Sequence, residues 1–214
     1  IVDRDAVRGR EAVRGIGAVG GQARLCEADV TDRRAMEGVA ASLREQGATV
    51  TMLITCAGDV HVGLLDRGED ADGIRTDIDT DLWGTVLSCR IMLPLMSPGA
   101  RILLLSSGFG LVGVAGYATY CAAKTGVIAF GDALRRELLC RRIRVYVACP
   151  ADIDTPMLER ELGQQPEWMR VASARHSLTA PDIMARRILR RCRGGRTTII
   201  VNPEIHFVNI MNHV

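Results

Sequence analysis

The sequence is organised around residues 101–124, RILLLSSGFGLVGVAGYATYCAAK. An apolar run, typical of a buried strand, ends in two serines, the second of which is Ser107, and a glycine-rich loop follows. A helix is predicted from about Ala118, and it carries Tyr120 and Lys124. The stretch therefore predicts a strand, a loop and a helix that bring three polar side chains to one end of the strand.

Tyr120 and Lys124 are candidates for acid–base chemistry. Their i,i+4 spacing places both side chains on one helix face, and a nearby ammonium group lowers the pKa of a tyrosine. Lys124 is also the only lysine among the 27 lysine and arginine residues. Arginine stays protonated, whereas lysine can titrate and donate to a sugar hydroxyl. Chance survival of one lysine is the alternative, and the tyrosine four residues before it favours a function.

Strand-like and helix-like segments alternate along the chain, which is typical of a doubly wound, Rossmann-type α/β fold with a parallel sheet. The length of 214 residues suits a single domain, 1–214. Predicted strands cover residues 1–3, 24–30, 49–57, 101–106, 143–148 and 197–201. Predicted helices cover about 5–14, 32–46 with Asp32 as N-cap, 76–96, 118–140 and 179–193, the last with a capping-box start at Thr179 and Pro181.

Composition argues against several classes of protein. The net charge of +2 argues against an obligate nucleic-acid partner, and no apolar run of about 18 residues predicts a membrane span. The seven cysteines lack paired spacing, and no cluster has the spacing of metal ligands. Their positions in apolar runs favour free thiols in a reducing cytoplasm. The sequence therefore predicts a cytoplasmic protein without a metal site.

Five short motifs, found in the right order, resemble those of the short-chain dehydrogenase/reductase family over residues 1 to about 200. They are Asp3 at the place of the second-strand acid, Asp29-Val30 as the acidic-apolar pair after the third strand, Cys56-Ala57-Gly58 as part of Asn-Asn-Ala-Gly, Ser107 with Tyr120 and Lys124 as Ser…Tyr-x-x-x-Lys, and residues 150–155, PADIDT, as Pro-Gly-x-Val/Ile-x-Thr.

The resemblance implies an enzyme that exchanges a hydride between NAD(P) and a small-molecule secondary alcohol or ketone. It implies that Tyr120 is the acid–base, that Lys124 lowers its pKa and binds the nicotinamide ribose, and that Ser107 orients the substrate oxygen. It also implies a homodimer or homotetramer formed through helices 76–96 and 118–140. The residues implied for the cofactor are Asp3, Asp29, Val30, Cys56, Ala57, Gly58, Tyr120, Lys124, Pro150, Ile153 and Thr155.

Cofactor choice depends on Asp3 in this comparison. A carboxylate there binds the adenosine ribose 2′-hydroxyl and repels a 2′-phosphate, which favours NAD. Arg4 and Arg8 follow closely and could soften the repulsion, so NADP stays open.

Residues 155–178 correspond to the family's variable substrate lid. An apolar underside suits a hydrophobic substrate, and packing of the lid on the core explains the same residues equally well. Residues 151–156, ADIDTP, also resemble a segment of the 3-ketosphinganine reductases, which implies medium- or long-chain ketones. The apolar lid residues are Met157, Leu158, Leu162, Trp168 and Met169.

The glycine-rich loop of the family, Thr-Gly-x-x-x-Gly-x-Gly, is not found in this sequence. We therefore expect a preceding β-loop-α unit, and a gap one strand wide between the strands of Val2 and Met52 in the sequence as given. Residues 15–20, GIGAVG, spell GxGxxG, but a helix precedes them and a strand follows. These glycines are therefore predicted to end a helix and not to bind phosphate.

Asp81 stands where the family has its fourth catalytic residue, an asparagine in Asn-x-x-Gly. An ionised aspartate keeps an acceptor but loses the amide donor. Asp81 is predicted to hold a water or to pair directly with Lys124, and a helix residue without a catalytic part is the alternative. Thr55 and Ala151 also depart from the family motifs. These departures motivate a second function, that of a catalytically weak member acting as a binding or assembly module.

Overall fold

The computed structural model describes residues 1–66, 71–167, 169, 178–194 and 197–202, so the predicted lid residue Trp168 lies outside the described residues. The described strands are β1 Val2–Asp3, β2 Cys26–Glu27, β3 Val50–Thr55, β4 Met96–Leu105, β5 Arg144–Cys149 and β6 Thr198–Ile200. The described helices are α1 Ala6–Ala18, α2 Arg33–Glu45, α3 Ala71–Thr76, α4 Gly84–Met92, α5 Ala118–Glu137, α6 Pro156–Gln164 and α7 Pro181–Arg191, with a π-helical segment at Asp77–Trp83 and 3-10 turns at Leu93–Leu95 and Gly108–Gly110.

Strands β3, β4, β5 and β6 form a parallel sheet in that order. Successive side chains of a strand point to opposite faces, and β4 is apolar on both. Ile102 and Leu104 pack with α5 residues on one face, whereas Leu103 packs with Met184 of α7 on the other. Helices therefore cover both faces, and the prediction of a doubly wound parallel sheet is confirmed.

Helix α5 lies very close to the sheet. A Cβ on Gly131 would come within 2.3 Å of a Val147 methyl group and 3.1 Å of Leu104. Only a glycine allows this close approach, which fixes the depth of the helix against β4 and β5. The N-terminal turn of α5, with Tyr120 and Lys124, is thereby held at the carboxyl ends of these strands.

A cleft separates the β1–β2 pair from the larger sheet. Within the part of the chain that the structure describes, β1 and β2 pair only with each other, and β3 pairs only with β4. Among the described residues no strand lies between β1 and β3, in line with the expected gap of one strand. Val2, Leu53 and Ile54 line this cleft, and Ile54 is 43% exposed. The carboxyl ends of β1 and β3 therefore open into the same space.

The predicted ends of β2 and of α1 are wrong. The second strand is limited to Cys26–Glu27, although residues 24–30 read as a strand. Helix α1 continues through Gly15 and Gly17 to Ala18, although its end was predicted near residue 14. Each helical glycine disfavours the helix by only about 1 kcal/mol, which the Asp5 N-cap hydrogen bonds help to offset. The turn that follows uses Gly20 at a φ of 79°.

The predicted helix over residues 76–96 is a composite of α3, the π-helical segment, α4 and a 3-10 turn. The start of α7 also differs from its prediction. Thr179 does not cap it but forms a bridge with Ile153, and the N-cap is Ala180 without a side-chain hydrogen bond. Pro181 does occupy an early helical position, and Asp32 caps α2 by accepting from Arg34 and Ala35. No helix among the described residues is long and apolar enough to cross a membrane.

Candidate active site

The site is built where β4 and β5 end. The Ser106 hydroxyl donates to the Lys124 carbonyl oxygen at 2.8 Å, and the Gly108 amide donates to the Pro150 carbonyl oxygen at 2.8 Å. A Cβ on Gly110 would lie 2.9 Å from the Lys124 backbone, so the 3-10 turn touches α5 closely. These contacts tie the loop after β4 to both α5 and β5.

Lys124 forms a buried ion pair with Asp81. Its Nζ atom lies 2.6 Å from Oδ1 of Asp81 and 3.5 Å from the Leu105 carbonyl oxygen. Burial disfavours the Lys124 ammonium, but Asp81, Tyr120 and Cys56 together outweigh that effect, so the pKa of Lys124 is raised. Burial raises the pKa of Asp81 to about 6, although Lys124 opposes the shift. Of the two chemical roles predicted for Asp81, direct pairing with Lys124 is the one found.

The turn after β3 packs directly on this ion pair. A Cβ on Gly58 would meet Oδ1 of Asp81 at 2.4 Å and Nζ of Lys124 at 3.4 Å, so only glycine fits there. A Cβ on Gly84 would likewise meet a Val30 methyl group at 2.7 Å. Gly58, in the Cys-Ala-Gly motif, allows the turn after β3 to pack on the ion pair, and Gly84, in the Asp-x-x-Gly motif, allows α4 to pack on Val30.

Tyr120 lies beside Lys124, whose Nζ atom is 5.4 Å from the centre of the tyrosine ring. Phe109 and Tyr117 surround the ring in edge-on contacts, with ring centres 6.3 and 6.5 Å away. Burial raises the pKa of Tyr120, Lys124 opposes this, Asp81 adds to it, and a hydrogen bond with Ser107 lowers it again. The effect of Lys124 has the predicted sign, but the net pKa is raised, because burial outweighs the charge.

Asp77, which the sequence reading did not single out, is fully buried behind the site. It accepts a hydrogen bond from the Thr119 hydroxyl at 2.6 Å and from the His61 amide at 2.9 Å. It therefore joins the loop after β3 to the start of α5, next to Tyr120. Its position four residues before Asp81 on the same helical segment was the only signal in the sequence.

The far end of the cleft is polar and charged. Asp29 accepts from the amide and the hydroxyl of Thr31 at 2.8 and 2.7 Å. Burial opposes its ionisation, but these bonds and Arg4 lower the pKa of Asp29 overall. The Arg4 guanidinium lies 3.4 Å from Asp29 and 3.5 Å from Asp59. Asp3 lines the same cleft and accepts from the Asp5 amide at 2.9 Å.

One continuous cleft of about 1160 Å³ contains nearly the whole predicted site. Asp81 lies just behind its wall, and its side chain is fully buried. The predicted residues that line the cleft are Asp3, Asp29, Val30, Cys56, Ala57, Gly58, Ser107, Tyr120, Lys124, Pro150, Ile153 and Thr155.

Helix α6 closes one side of the cleft and was recognised only as part of a lid. The Tyr117 hydroxyl donates to Oε1 of Glu161 at 2.7 Å and accepts from Nε2 of Gln165 at 2.6 Å. Burial raises the pKa of Tyr117, and Glu161 adds to the shift. Met157 and Leu158 line the cleft from this helix, whereas Leu162 is 36% exposed. Met169 packs on Tyr117 in a separate apolar cluster.

The described residues contain no group of three or more His, Cys, Asp or Glu side chains arranged to hold a metal ion.

Residues 1–166 match the family described as short chain dehydrogenase. The match spans well over half of the chain, and the chain therefore belongs to this family. Membership confirms the predictions of an oxidoreductase of the CH–OH or keto class and of NAD or NADP as its cofactor.

Several curated proteins are similar to this chain. SadH of Mycobacterium tuberculosis, an oxidoreductase by name, is 30% identical over 221 residues, which cover 100% of this chain and 79% of SadH. The 3-ketodihydrosphingosine reductase of Dictyostelium discoideum is 28% identical over 186 residues, covering 84% of this chain and 55% of that protein. The 3-oxoacyl-(acyl-carrier-protein) reductase FabG of Salmonella typhimurium is 37% identical over 131 residues, covering 60% and 53%.

The fold is shared with solved structures. A short chain dehydrogenase/reductase of Burkholderia phymatum, crystallised in complex with NAD, superposes with a TM-score of 0.86 at 20% sequence identity. The alignment covers 99% of this chain and 82% of that one. The likeness extends over β1, β2 and the larger sheet together.

Proposed function

We propose that this chain transfers a hydride between NAD(P) and a secondary alcohol or ketone, with Tyr120 as the acid–base. The observation that carries the proposal is the grouping of Ser107, Tyr120 and Lys124 along one cleft that continues to Asp3 and Asp29. The three side chains come from two elements that converge at the sheet end. Such a convergence in an α/β fold is typical of a catalytic site.

The described residues fit a dinucleotide. The cleft is long enough to include a carboxylate end at Asp3 and Asp29 and a lysine–tyrosine end. The Thr55 hydroxyl, at the end of β3, is buried in the cleft wall without a hydrogen-bond partner. Gly58 brings the backbone to the surface of the cleft where a side chain would collide with Asp81. A bound nicotinamide supplies or accepts the hydride, and the protein supplies position and charge.

The chain's own residues would handle the proton. In the reductive direction the carbonyl carbon gains the hydride, and the phenolic proton of Tyr120 moves to the carbonyl oxygen. Ser107, which forms a hydrogen bond with Tyr120, would orient the carbonyl oxygen of the substrate. Lys124 stabilises the phenolate that remains, and Asp81 holds the ammonium in place. Reversal of these steps gives oxidation of the alcohol.

NAD is the proposed cofactor, because Asp3 offers a carboxylate to a ribose hydroxyl. Arg4 already contacts Asp29 and Asp59, which reduces its availability for a 2′-phosphate. Comparison of kcat/KM for NADH and NADPH tests the preference, and a clear advantage of NADPH would overturn it.

The proposed substrate is a hydrophobic ketone or alcohol. Phe109, Met157 and Leu158 line the same cleft as Tyr120, and Phe109 contacts the Tyr120 ring. Two of the similar proteins are named as reductases of 3-oxo or 3-keto compounds, which is consistent with this class. A series of 3-ketones of increasing chain length should therefore show kcat/KM rising with length. A cytoplasmic location and a homodimer or homotetramer stay predictions.

A catalytically weak binding module is the second candidate function. The observation that favours it is the ion pair between Asp81 and Lys124, which occupies the ammonium that an active site uses. Such a protein would bind NAD(H) but show no turnover with any ketone of the series.

Substitution of Tyr120 by phenylalanine tests the proposed chemistry. Loss of a general acid–base should lower kcat about 100-fold or more, while NADH binding measured by fluorescence stays within about threefold. Tyr146→Phe is the matched control, because Tyr146 is a buried tyrosine on β5 outside the cleft. Turnover of Tyr120→Phe close to that of Tyr146→Phe would refute the role of Tyr120.

A further inference from the structure

Asp81 and Lys124 form a buried ion pair beside Tyr120. We propose that Asp81 is a positioning residue that binds the Lys124 ammonium directly, offsets part of its effect on Tyr120 and thereby adds to the burial that keeps Tyr120 in its proton-donating form. This inference rests on the proposed role of Tyr120 as the acid–base.

The geometry leaves no room for a mediating water. The distance of 2.6 Å between Nζ and Oδ1 is a direct, charge-assisted hydrogen bond. Both side chains are nearly sealed from solvent, with 8% of Lys124 and none of Asp81 exposed. A neutral amide could accept the same bond but would leave the positive charge uncompensated. The carboxylate therefore changes the field at Tyr120 and not only the position of the lysine.

The π-helical segment Asp77–Trp83 aims this carboxylate inward. It packs on α5 and presents Asp77, Thr80 and Asp81 as buried residues. The other oxygen of Asp81 accepts from the Asp59 amide at 3.4 Å. Both oxygens are thus held in place, which fixes the carboxylate at the lysine.

Other polar and titratable groups face Asp81, Lys124 and Tyr120 from each element packed around them. Cys56 after β3 and Tyr120 itself act on Lys124, and Asp77 acts on Asp81 from the same helical segment. Glu161 of α6 and Ser107 after β4 act on Tyr120. Glu161 and Asp81 both favour the protonated phenol, whereas Lys124 and Ser107 favour the phenolate. Burial favours the phenol most strongly and Lys124 opposes it most strongly, so Asp81 acts by offsetting part of the influence of Lys124.

The distances give the size of the effect. Because Nζ is 5.4 Å from the Tyr120 ring centre and 2.6 Å from Oδ1, the carboxylate lies within about 8 Å of the ring centre. At an effective dielectric constant of about 20, one charge at this distance shifts a pKa by roughly 1.5 units. Removal of the charge should lower the pKa of Tyr120 by about one unit or more.

Asp81→Asn is the test variant, and Asp79→Asn is the matched control. Asp79 carries the same charge in the same segment, but it pairs with Arg75 at 2.8 Å on the surface. The titration of Tyr120 is followed by ¹³Cζ tyrosine NMR without substrate, and Tyr120→Phe assigns its resonance. Rates of oxidation and reduction are then measured from pH 6 to 10.

In the unmodified protein Tyr120 should remain protonated through pH 9. In Asp81→Asn its titration should move down by about one unit, and the pH at which the oxidation rate reaches half of its plateau should fall by about as much. Asp79→Asn should change neither quantity by more than about a tenth of these shifts. If Asp81→Asn fails to fold, the NMR measurement on the unmodified protein can still refute the inference.

Ionisation of Tyr120 below pH 9 in the unmodified protein would overturn the inference. So would a titration in Asp81→Asn that is unchanged or moved upward. Either result is compatible with loss of activity in Tyr120→Phe, so the proposed function could stand without this inference. Full activity of Tyr120→Phe would instead remove the proposed function itself.

Discussion

A single added methyl group at Gly110 should disturb both the stability and the activity of the protein. Its Cβ would lie 2.6 Å from the Ser106 hydroxyl oxygen and 2.9 Å from the carbonyl carbon and oxygen of Lys124. Ordinary contact begins at 3.4 Å, so α5 and the 3-10 turn must separate by about 0.5 Å. Overpacking of this kind destabilises by about 1–3 kcal/mol. The shift acts directly on the helix turn that carries Tyr120 and Lys124.

Gly113→Ala provides the control, since nothing lies within 4 Å of a Cβ there and neither glycine has a positive φ. Differential scanning fluorimetry should show a Tm about 4–8 °C lower for Gly110→Ala, as expected for about 2 kcal/mol in a domain of this size. A misplacement of about 1 Å can lower a rate about 100-fold, so kcat should fall roughly tenfold. Equal Tm and kcat values for the two variants would refute the close packing of the turn on α5.

Three further outcomes are expected. Leu104→Ala should lower the free energy of unfolding in urea by about 2–5 kcal/mol, because Leu104 is fully buried. Leu139→Ala, at an exposed leucine, should change it by less than about 0.5 kcal/mol, and similar values for the two variants would contradict the core assignment. Arg4→Gln should leave Tm nearly unchanged, because the ion pairs of Arg4 are exposed. It should weaken NADPH binding more than NADH binding in fluorescence titrations, and equal weakening would argue against a contact between Arg4 and the adenosine ribose. Tyr117→Phe removes the hydrogen bond to Glu161 and should speed proteolysis within α6; an unchanged cleavage rate would show that this bond does not hold the helix.

The sequence pattern predicted most of the elements because their causes are local. Asp32 caps α2 through hydrogen bonds within three residues, and Gly47 ends the turn after it with a φ of 63°. The apolar runs of β4 and β5 predicted strands buried on both faces. Errors arose where the alternatives are close in energy, as at Gly15 and Gly17, which remain helical. The bridge between Thr179 and Ile153 is a tertiary contact, so no local pattern could predict it.

The raised pKa of Tyr120 illustrates a second limit of prediction from the sequence. The spacing of Tyr120 and Lys124 on one helix correctly predicted their proximity and the sign of the lysine's effect. Burial of Tyr120, to which Phe109 and Tyr117 contribute, outweighs that effect, and burial is a property of the folded chain. The Tyr-x-x-x-Lys motif therefore could not predict the direction of the net pKa shift of Tyr120.

The sequence by itself determined the alternating α/β pattern, the family motifs and the shared helix face of Tyr120 and Lys124, because each depends on residues close together in the chain. Only the tertiary structure decided that Asp81 reaches Lys124, 43 residues away, and that Asp77 reaches Thr119, 42 residues away. Such contacts depend on how deeply the π-helical segment packs on α5. The charge balance at the active site follows from that packing, and spacing in the sequence does not encode it.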